Sequence, residues 1–240
     1  MLKLLKQIRR KLLDEGNLKR YLIYASGEIL LVMIGILLAL QVNNWNEGRK
    51  DGLKEIEYLK ELETNLDKNI ESLQKSINFQ NFTIHGIDQI ISHLQNPSIN
   101  SSSTDSLLSF YKYSTWYEQI SISSSAYESL KNNGFEIIRD KDIKNKIIEL
   151  FEVIYSTQVN ASNAVSPVFG QVSAQLAVEK GHIITSILSD NSFKQDDTYF
   201  KLLNFMIRKK IWKIDFLNGQ QELLDETIKL KAEIANYLNK

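Results

Sequence analysis

Residues 21–42 read YLIYASGEILLVMIGILLALQV, an apolar stretch with one charged residue, Glu28, and no proline. As an α-helix, a stretch of this length extends about 33 Å, which is enough to cross a hydrocarbon core about 30 Å thick. The stretch therefore predicts a transmembrane helix over residues 21–42. It divides the chain into a short leader and a long C-terminal part.

The charges on the two sides of this stretch predict its orientation. The leader, residues 1–20, carries seven Lys and Arg residues against Asp14 and Glu15, whereas residues 43–240 carry 22 Lys and Arg against 26 Asp and Glu. A basic flank beside an apolar span stays on the cytoplasmic side. We therefore expect a single-pass protein of the inner (plasma) membrane with a cytoplasmic N-terminus and a periplasmic, extracytoplasmic C-terminal domain.

The leader has a pattern of its own in residues 2–13, where leucines and isoleucine share one helical side and cations the other. Such a basic amphipathic helix lies along the inner leaflet beside anionic headgroups. The alternative is a plain orientation signal.

A cleaved signal peptide is the alternative to a lasting anchor, because the apolar run Ile29–Leu40 also suits a signal core. The bulky Leu37 makes a poor cleavage site before Ala39. Aromatic and basic residues at the ends of the span favour an uncleaved helix held at both interfaces. These membrane-interface residues are Tyr21, Trp45, Lys19 and Arg20.

One side of the predicted membrane helix carries its small residues and its carboxylate. This contact face consists of Tyr24, Gly27, Glu28, Leu31, Gly35 and Ala39. Gly35 and Ala39 form a small-xxx-small pair that lets another helix approach closely, and a membrane carboxylate usually meets a partner. The face predicts a homo-oligomer or a membrane-protein partner; the alternative is a protonated Glu28 that reaches the inner surface alone.

Helical periodicity continues beyond the membrane. Apolar residues recur at steps of three, four or seven from residue 51 to residue 95, which predicts a long stalk helix with Gly48 and Gly52 as candidate joints. The residues after Pro97 read as a loop, followed by a short helix over 105–112. A coiled coil and a bundle arm are both compatible with the stalk, and the unclear charge pattern favours the bundle.

Four further helices are predicted from caps and periodicity. They cover residues 125–132 closed by Gly134, 141–159 capped by Asp140, 168–180 begun by Pro167 and ended by Gly181, and 199–239 with a candidate bend at Gly219. The last is long enough to run antiparallel to the stalk. We therefore expect an all-α chain, with an N-terminal transmembrane helix followed by a long-helix antiparallel bundle over residues 43–240.

Motifs that carry chemistry do not emerge from the sequence. The chain has no cysteine, and its histidines (His85, His93 and His182) lack a metal-binding spacing. We expect no catalytic, cofactor-binding or metal-ligating residues, no cofactor, no enzyme activity and no nucleic-acid partner. The aromatic residues Tyr111, Tyr113, Trp116 and Tyr117 are interpreted as core rather than as a ligand cage.

The segment KRYLIYASGEILLVMIGILLALQVNNWNEGRK resembles the opening of a family of uncharacterised single-pass membrane proteins of Bacteroidota. The resemblance rests on Tyr21, Gly27, Glu28, Gly35, Ala39, Gln41 and Asn43–Glu47, with a looser match at Ser125–Lys131. It implies inner-membrane anchoring and an α-helical outer part. It implies no activity.

Two function classes and a weaker third follow. The first is an interaction or scaffold protein of the cell envelope, held in the lipid bilayer by one helix. The second is a ligand-sensing extracytoplasmic domain coupled to the membrane helix, and the least favoured is an extracytoplasmic enzyme.

Overall fold

The computed structural model describes residues 18–96, 103–115, 120–189 and 197–239. All regular structure in these ranges is helical, which confirms the all-α class. The predicted leader helix and the Pro97 loop up to residue 102 lie outside the described residues.

In the described residues, six α-helices and two short helical segments follow one another. They are α1 (Leu18–Gln95), α2 (Thr104–Thr115), α3 (Ser125–Asn133), a 3-10 turn (Phe135–Ile137), α4 (Lys141–Ile148), a π-helical segment (Glu149–Tyr155), α5 (Ser156–Ser189) and α6 (Asp197–Leu238).

The chain divides into two compact units, Met1–Lys54 and Glu55–Lys240. In the first unit all described residues belong to α1, and the large aliphatic side chains from Leu22 to Val42 are exposed. The second unit contains the rest of α1 and every other described helix. The predicted division at residues 20 and 42 stays a prediction.

Helix α1 ends where the stalk helix was expected to end, at Gln95. Pro97 explains this boundary, because a proline disfavours the helical conformation of the residue before it, here Asn96. The candidate joints Gly48 and Gly52 both lie inside α1, and the helix continues through them.

Helices α1 and α6 run antiparallel within the second unit, as expected. As the residue number in α1 decreases, the number of its contact residue in α6 increases. The pairs are Leu94 with Tyr199, Gln80 with Lys213, Ser76 with Gln220, and Glu55 with Tyr237. This pairing makes the two helices the spine of the bundle.

The core of the second unit has two apolar clusters. One joins the Leu59–Leu73 part of α1 to α3, α4, the π-helical segment and the end of α6. The other joins the Ile87–Leu94 part of α1 to α2, α5 and the start of α6. Between them lie the buried polar residues Ser76, Gln80, Thr83, Lys209, Lys213 and Gln220.

Helix α5 corrects two expectations. Pro167 does not begin a helix and Gly181 does not end one, since both lie inside the helix Ser156–Ser189. A proline inside a helix costs about 3 kcal/mol. Burial after Pro167 offsets that cost, because Leu176 and Ile184 belong to the second apolar cluster and Phe169 packs against it.

The predicted helix over residues 141–159 is helical throughout but not uniform. Asp140 caps its start as expected, accepting hydrogen bonds from the N–H groups of Asp142 and Ile143 at 2.9 and 3.1 Å. Its middle widens into the π-helical segment, which directs Leu150, Phe151 and Tyr155 into the core. Periodicity predicts the helix but not the wider turn, which tertiary packing selects.

Candidate functional site: the groove between α5 and α6

An open groove of about 990 Å³ lies between α5 and α6 on the surface of the second unit. Its floor is aromatic and its rim combines apolar and charged side chains. The residues that line it are Val168, Phe169, Val172, Gln175, Leu176, Lys201, Asn204, Phe205, Arg208, Ile211, Trp212 and Asp215. We call this surface the α5–α6 groove.

Stacked aromatic rings position the two helices of the groove. The ring of Phe169 on α5 lies 6.1 Å from that of Phe205 and 5.4 Å from that of Trp212, both on α6. Trp212 in turn stacks on Phe216 at 5.3 Å. Aromatic pairs at these separations contribute stabilisation beyond that of burying apolar area. These rings therefore hold α5 and α6 together at the base of the groove.

A glycine lets the helices approach closely beside this floor. A Cβ atom on Gly219 would lie 2.6 Å from the side-chain oxygen of Gln158. The Gln158 amide donates to the carbonyl of Phe216 at 3.2 Å. Gly219 lies inside α6, where the absence of a side chain leaves room for the Gln158 amide; the bend expected there stays a prediction.

Large apolar side chains on the rim remain in solvent. Val168 is 59% exposed and Ile211 is 56% exposed. The neighbouring Arg208 and Trp212 are residue types that dominate binding energy in protein interfaces. An apolar groove with an aromatic floor and a few polar groups is typical of a binding surface, for a small molecule or for the apolar face of a helix.

A buried lysine lies behind the groove. The Lys209 ammonium is 5.3 Å from the centre of the Phe205 ring and 5.9 Å from that of Phe169. Burial, and to a smaller extent the positive charge of Lys213, together lower the pKa of Lys209 to about 7. Both lysines are fully buried, which is rare for this residue type.

The second buried lysine connects α6 to α1. The Lys213 ammonium donates to the side-chain oxygen of Gln80 at 2.8 Å and lies 6.0 Å from the Phe79 ring. Two turns further along α6, the Gln220 amide donates to the hydroxyl of Ser76 at 2.7 Å. These bonds fix the axial register of α1 and α6, because a shift of one turn would leave buried polar groups unpaired.

Two asparagines of α1 hold the start of α3. The Asn65 side-chain oxygen accepts hydrogen bonds from the hydroxyls of Ser123 and Ser125 and from the N–H of Ala126. Asn69 binds the backbone of Ser123. Because Ser124 makes no side-chain cap, α1 supplies the N-terminal cap of α3 from outside that helix.

The Ser125–Lys131 segment is thus structural in this fold. Tyr127 stacks on Phe151 at 4.6 Å, and its hydroxyl donates to the Glu152 carboxylate at 2.5 Å. Lys131 donates to the same carboxylate at 2.6 Å, and this bond holds the pKa of Glu152 below its usual range. The cluster ties α3 to the π-helical segment.

The predicted membrane contact face lies on α1 in the first unit. Gly27, Leu31, Gly35 and Ala39 are exposed there, and Tyr24 and Glu28 are half-buried. A Cβ atom on Gly27 or Gly35 would meet no atom within 4 Å, so both are open to another helix. Of the interface residues, Lys19 and Trp45 are exposed, and nothing is described for the side chains of Arg20 and Tyr21.

The histidines do not form a site among the described side chains. His85 is exposed, with its ring 6.0 Å from that of Phe110, and His93 is half-buried; the His182 side chain is not described. The described residues contain no group of His, Cys, Asp and Glu that could hold a metal ion.

Of the four aromatic residues interpreted as core, Tyr111 packs against the second apolar cluster and Tyr113 is 38% exposed. Trp116 and Tyr117 lie outside the described residues.

Sequence reasoning missed the α5–α6 groove. The signal was present in α5, where Val168 and Val172 recur four apart beside the separate pair Phe169 and Leu176, seven apart. Phe169 and Leu176 pack inward, whereas Val168 and Val172 widen the apolar surface beyond what the core needs. The false break predicted at Pro167 concealed this double pattern.

Comparison with known proteins adds a family. No curated protein and no solved structure matches the chain. One family model matches residues 28–177, more than half of the chain, beginning inside the apolar stretch and ending in α5. The chain belongs to the family of unknown function DUF6090.

Proposed function

We propose that this chain is a single-pass, membrane-anchored helical interaction protein of the cell envelope. The anchor is the apolar part of α1, and the functional part is the second unit, which offers the α5–α6 groove to a protein partner. No reaction and no cofactor is part of the proposal.

The carrying observation is the exposure of the apolar part of α1. One helix among the described residues is long and apolar enough to span a membrane, and its most apolar window is 0% buried. Leu31 is 72% exposed, and no described residue covers it. About 20 apolar residues left in water would cost far more than their insertion into lipid, so a bilayer is the environment that suits this surface.

The orientation rests on charge. The basic leader favours a cytoplasmic N-terminus, and the acidic balance of residues 43–240 suits a translocated domain. The resemblance to Bacteroidota proteins supports placement in the inner membrane. The ligand-sensing alternative gains no specific support from the described residues.

Extraction of native membranes with alkaline carbonate tests the anchor. We expect the wild-type chain in the pellet and an Ile34→Arg variant in the supernatant, because an arginine at the helix centre disfavours insertion by about 2.5–3.5 kcal/mol. Ile34→Leu is the matched control. Wild-type protein in the supernatant, or a mature chain that begins after Ala39, would contradict the anchor.

Protease added to intact spheroplasts tests the orientation. We expect degradation of the second unit from outside and protection of an epitope placed at the N-terminus. Protection of the C-terminal epitope as well would show that the orientation is wrong. Cross-linking in whole cells then tests the interaction role, which predicts adducts through the groove.

A further inference from the structure

Helix α6 carries a stripe of exposed residues along the edge of the α5–α6 groove. The stripe repeats in steps of three and four, which keeps it within about 100° of the helix surface. Its residues are Lys201, Asn204, Arg208, Ile211, Asp215, Asn218 and Glu222, all of them exposed. We call it the α6 stripe.

The α6 stripe is self-complementary when read in the opposite direction. Ile211 is its centre, and residues at nearly equal steps on either side have complementary chemistry. The pairs are Arg208 with Asp215, Asn204 with Asn218, and Lys201 with Glu222. Two such stripes placed antiparallel therefore match cation to carboxylate and amide to amide, with isoleucine on isoleucine at the middle.

We propose that a second copy of this chain binds here, with the two α6 helices antiparallel about a two-fold axis at Ile211. A two-fold interface presents the same patch on both subunits, so residue i meets j and j meets i. The α6 stripe has this property in its charge, its polarity and its apolar centre. An unrelated partner would have no reason to impose it.

The charges of the stripe are available for such a contact. Among the described residues the structure gives neither Arg208 nor Asp215 an ion pair, and the two lie seven residues apart on one helix, about 10 Å along its axis. They are too distant to pair within one copy. Lys201 already meets Asp197 at 2.6 Å on the exposed surface and can share its ammonium with a partner's carboxylate.

The groove supplies the apolar area that the stripe alone lacks. Ile211 is 56% exposed, and across the groove Val168 and Val172 are 59% and 40% exposed. The partner's α6 covers these side chains when the helix axes approach to about 8–10 Å. The isoleucine pair then lies in a water-excluded centre, with the ion pairs around it.

This inference deepens the proposed interaction role and rests on it only for the anchored setting. Cross-linking in native membranes therefore belongs in the test beside cross-linking in detergent micelles.

The chain contains no cysteine, so a single introduced thiol reports on its own surroundings. In the full-length protein, Ile211→Cys should form a disulfide-linked dimer on mild oxidation. Ile228→Cys is the matched control, because Ile228 is 43% exposed on the same helix but lies away from the stripe. A dimer from Ile211→Cys alone, in micelles and in native membranes, supports the proposal; equal yields from both variants, or a dimer in micelles only, overturn it.

Charge reversal provides the second measurement, by sedimentation of the detergent-solubilised full-length chain. Arg208→Glu and Asp215→Arg should each weaken the dimer roughly tenfold or more, because each places like charges opposite one another twice. The double variant Arg208→Glu/Asp215→Arg should regain most of the affinity. Single variants that fold and dimerise like the wild type, or a double variant that folds but dimerises as weakly as the single variants, overturn the pairing.

The membrane anchor and the α6 dimer can be refuted independently. A wild-type chain that stays in the carbonate pellet but remains monomeric leaves the anchor intact and refutes the dimer. A chain that dimerises through Ile211 but is released by carbonate refutes the anchor and leaves the dimer.

Discussion

Asn69 binds both backbone groups of Ser123. Its side-chain oxygen accepts from the Ser123 N–H at 2.6 Å and its amide donates to the Ser123 carbonyl at 3.1 Å. The same amide lies 3.3 Å from the hydroxyl of Tyr155. Asn69 is fully buried, so one side chain of α1 satisfies the connection before α3 and touches the π-helical segment.

Asn69→Ala should therefore destabilise the second unit. The change leaves the Ser123 N–H and carbonyl without these partners, and unpaired buried groups cost about 1–3 kcal/mol each. We expect the free energy of unfolding to fall by about 2–4 kcal/mol in urea titrations followed by circular dichroism. Asn78→Ala, at an exposed position of the same helix, is the control and should change it by less than about 0.5 kcal/mol.

The Lys209 ammonium predicts a pH dependence of stability. With a folded pKa of about 7 and an ordinary value of 10.5 when unfolded, the unfolded chain binds more protons between these values. The contribution of Lys209 to the free energy of unfolding should therefore rise as pH increases from 7 to about 10. Below pH 7 both states are protonated and this contribution is flat.

Lys209→Met should remove that rise and stabilise the bundle most at pH 6. Each unit of pKa shift corresponds to about 1.4 kcal/mol, so the gain is of the order of a few kcal/mol. Urea unfolding at pH 6, 8 and 10 measures it, with the exposed Lys229→Met as the control. A constant difference between Lys209→Met and wild type across this range would contradict the assigned pKa.

Gly86 and Gly181 predict opposite effects for the same substitution. A Cβ atom on Gly86 would lie 2.7–2.9 Å from atoms of Phe110, whereas one on Gly181 would meet nothing within 4 Å. Overpacking costs about 1–3 kcal/mol and exceeds the helical gain of about 1 kcal/mol from alanine. Gly86→Ala should thus lower the melting temperature and Gly181→Ala should raise it; shifts of the same sign would refute this account.

The membrane contact face is tested at Gly35. If α1 associates through the side that contains Gly35 and Ala39, Gly35→Leu should lower self-association in a membrane reporter assay, because a leucine holds the backbones apart. Ser26→Leu places the same bulk on the opposite side of the helix and should have little effect. Unchanged association in Gly35→Leu and Glu28→Leu would favour the alternative of a lone, lipid-facing Glu28.

The all-α class and the antiparallel α1–α6 pair could be predicted because they follow from local signals. Apolar spacing marks both long helices, and Pro97, Gly134 and Asp140 mark boundaries at which the structure agrees. These signals depend on neighbouring residues alone. They do not depend on which helix lies opposite.

Features that depend on tertiary contact could not be predicted. Pro167 and Gly181 are strong breakers in isolation, yet burial along α5 outweighs both. The α5–α6 groove needs α5 to be one helix, so the error at Pro167 concealed it. The lysines at 209 and 213 look like solvent-facing residues of a basic run until their facing rings and Gln80 are known.

The Tyr237 hydroxyl donates to the Glu55 carboxylate at 2.9 Å, so the bundle closes between residues 182 positions apart. A ribosome that adds about 5–20 residues per second takes at least roughly 10 seconds to make that stretch. Throughout this time the leucines of α1 that α6 will cover have no native cover. The closing contact can therefore form only after nearly the whole second unit has been synthesised.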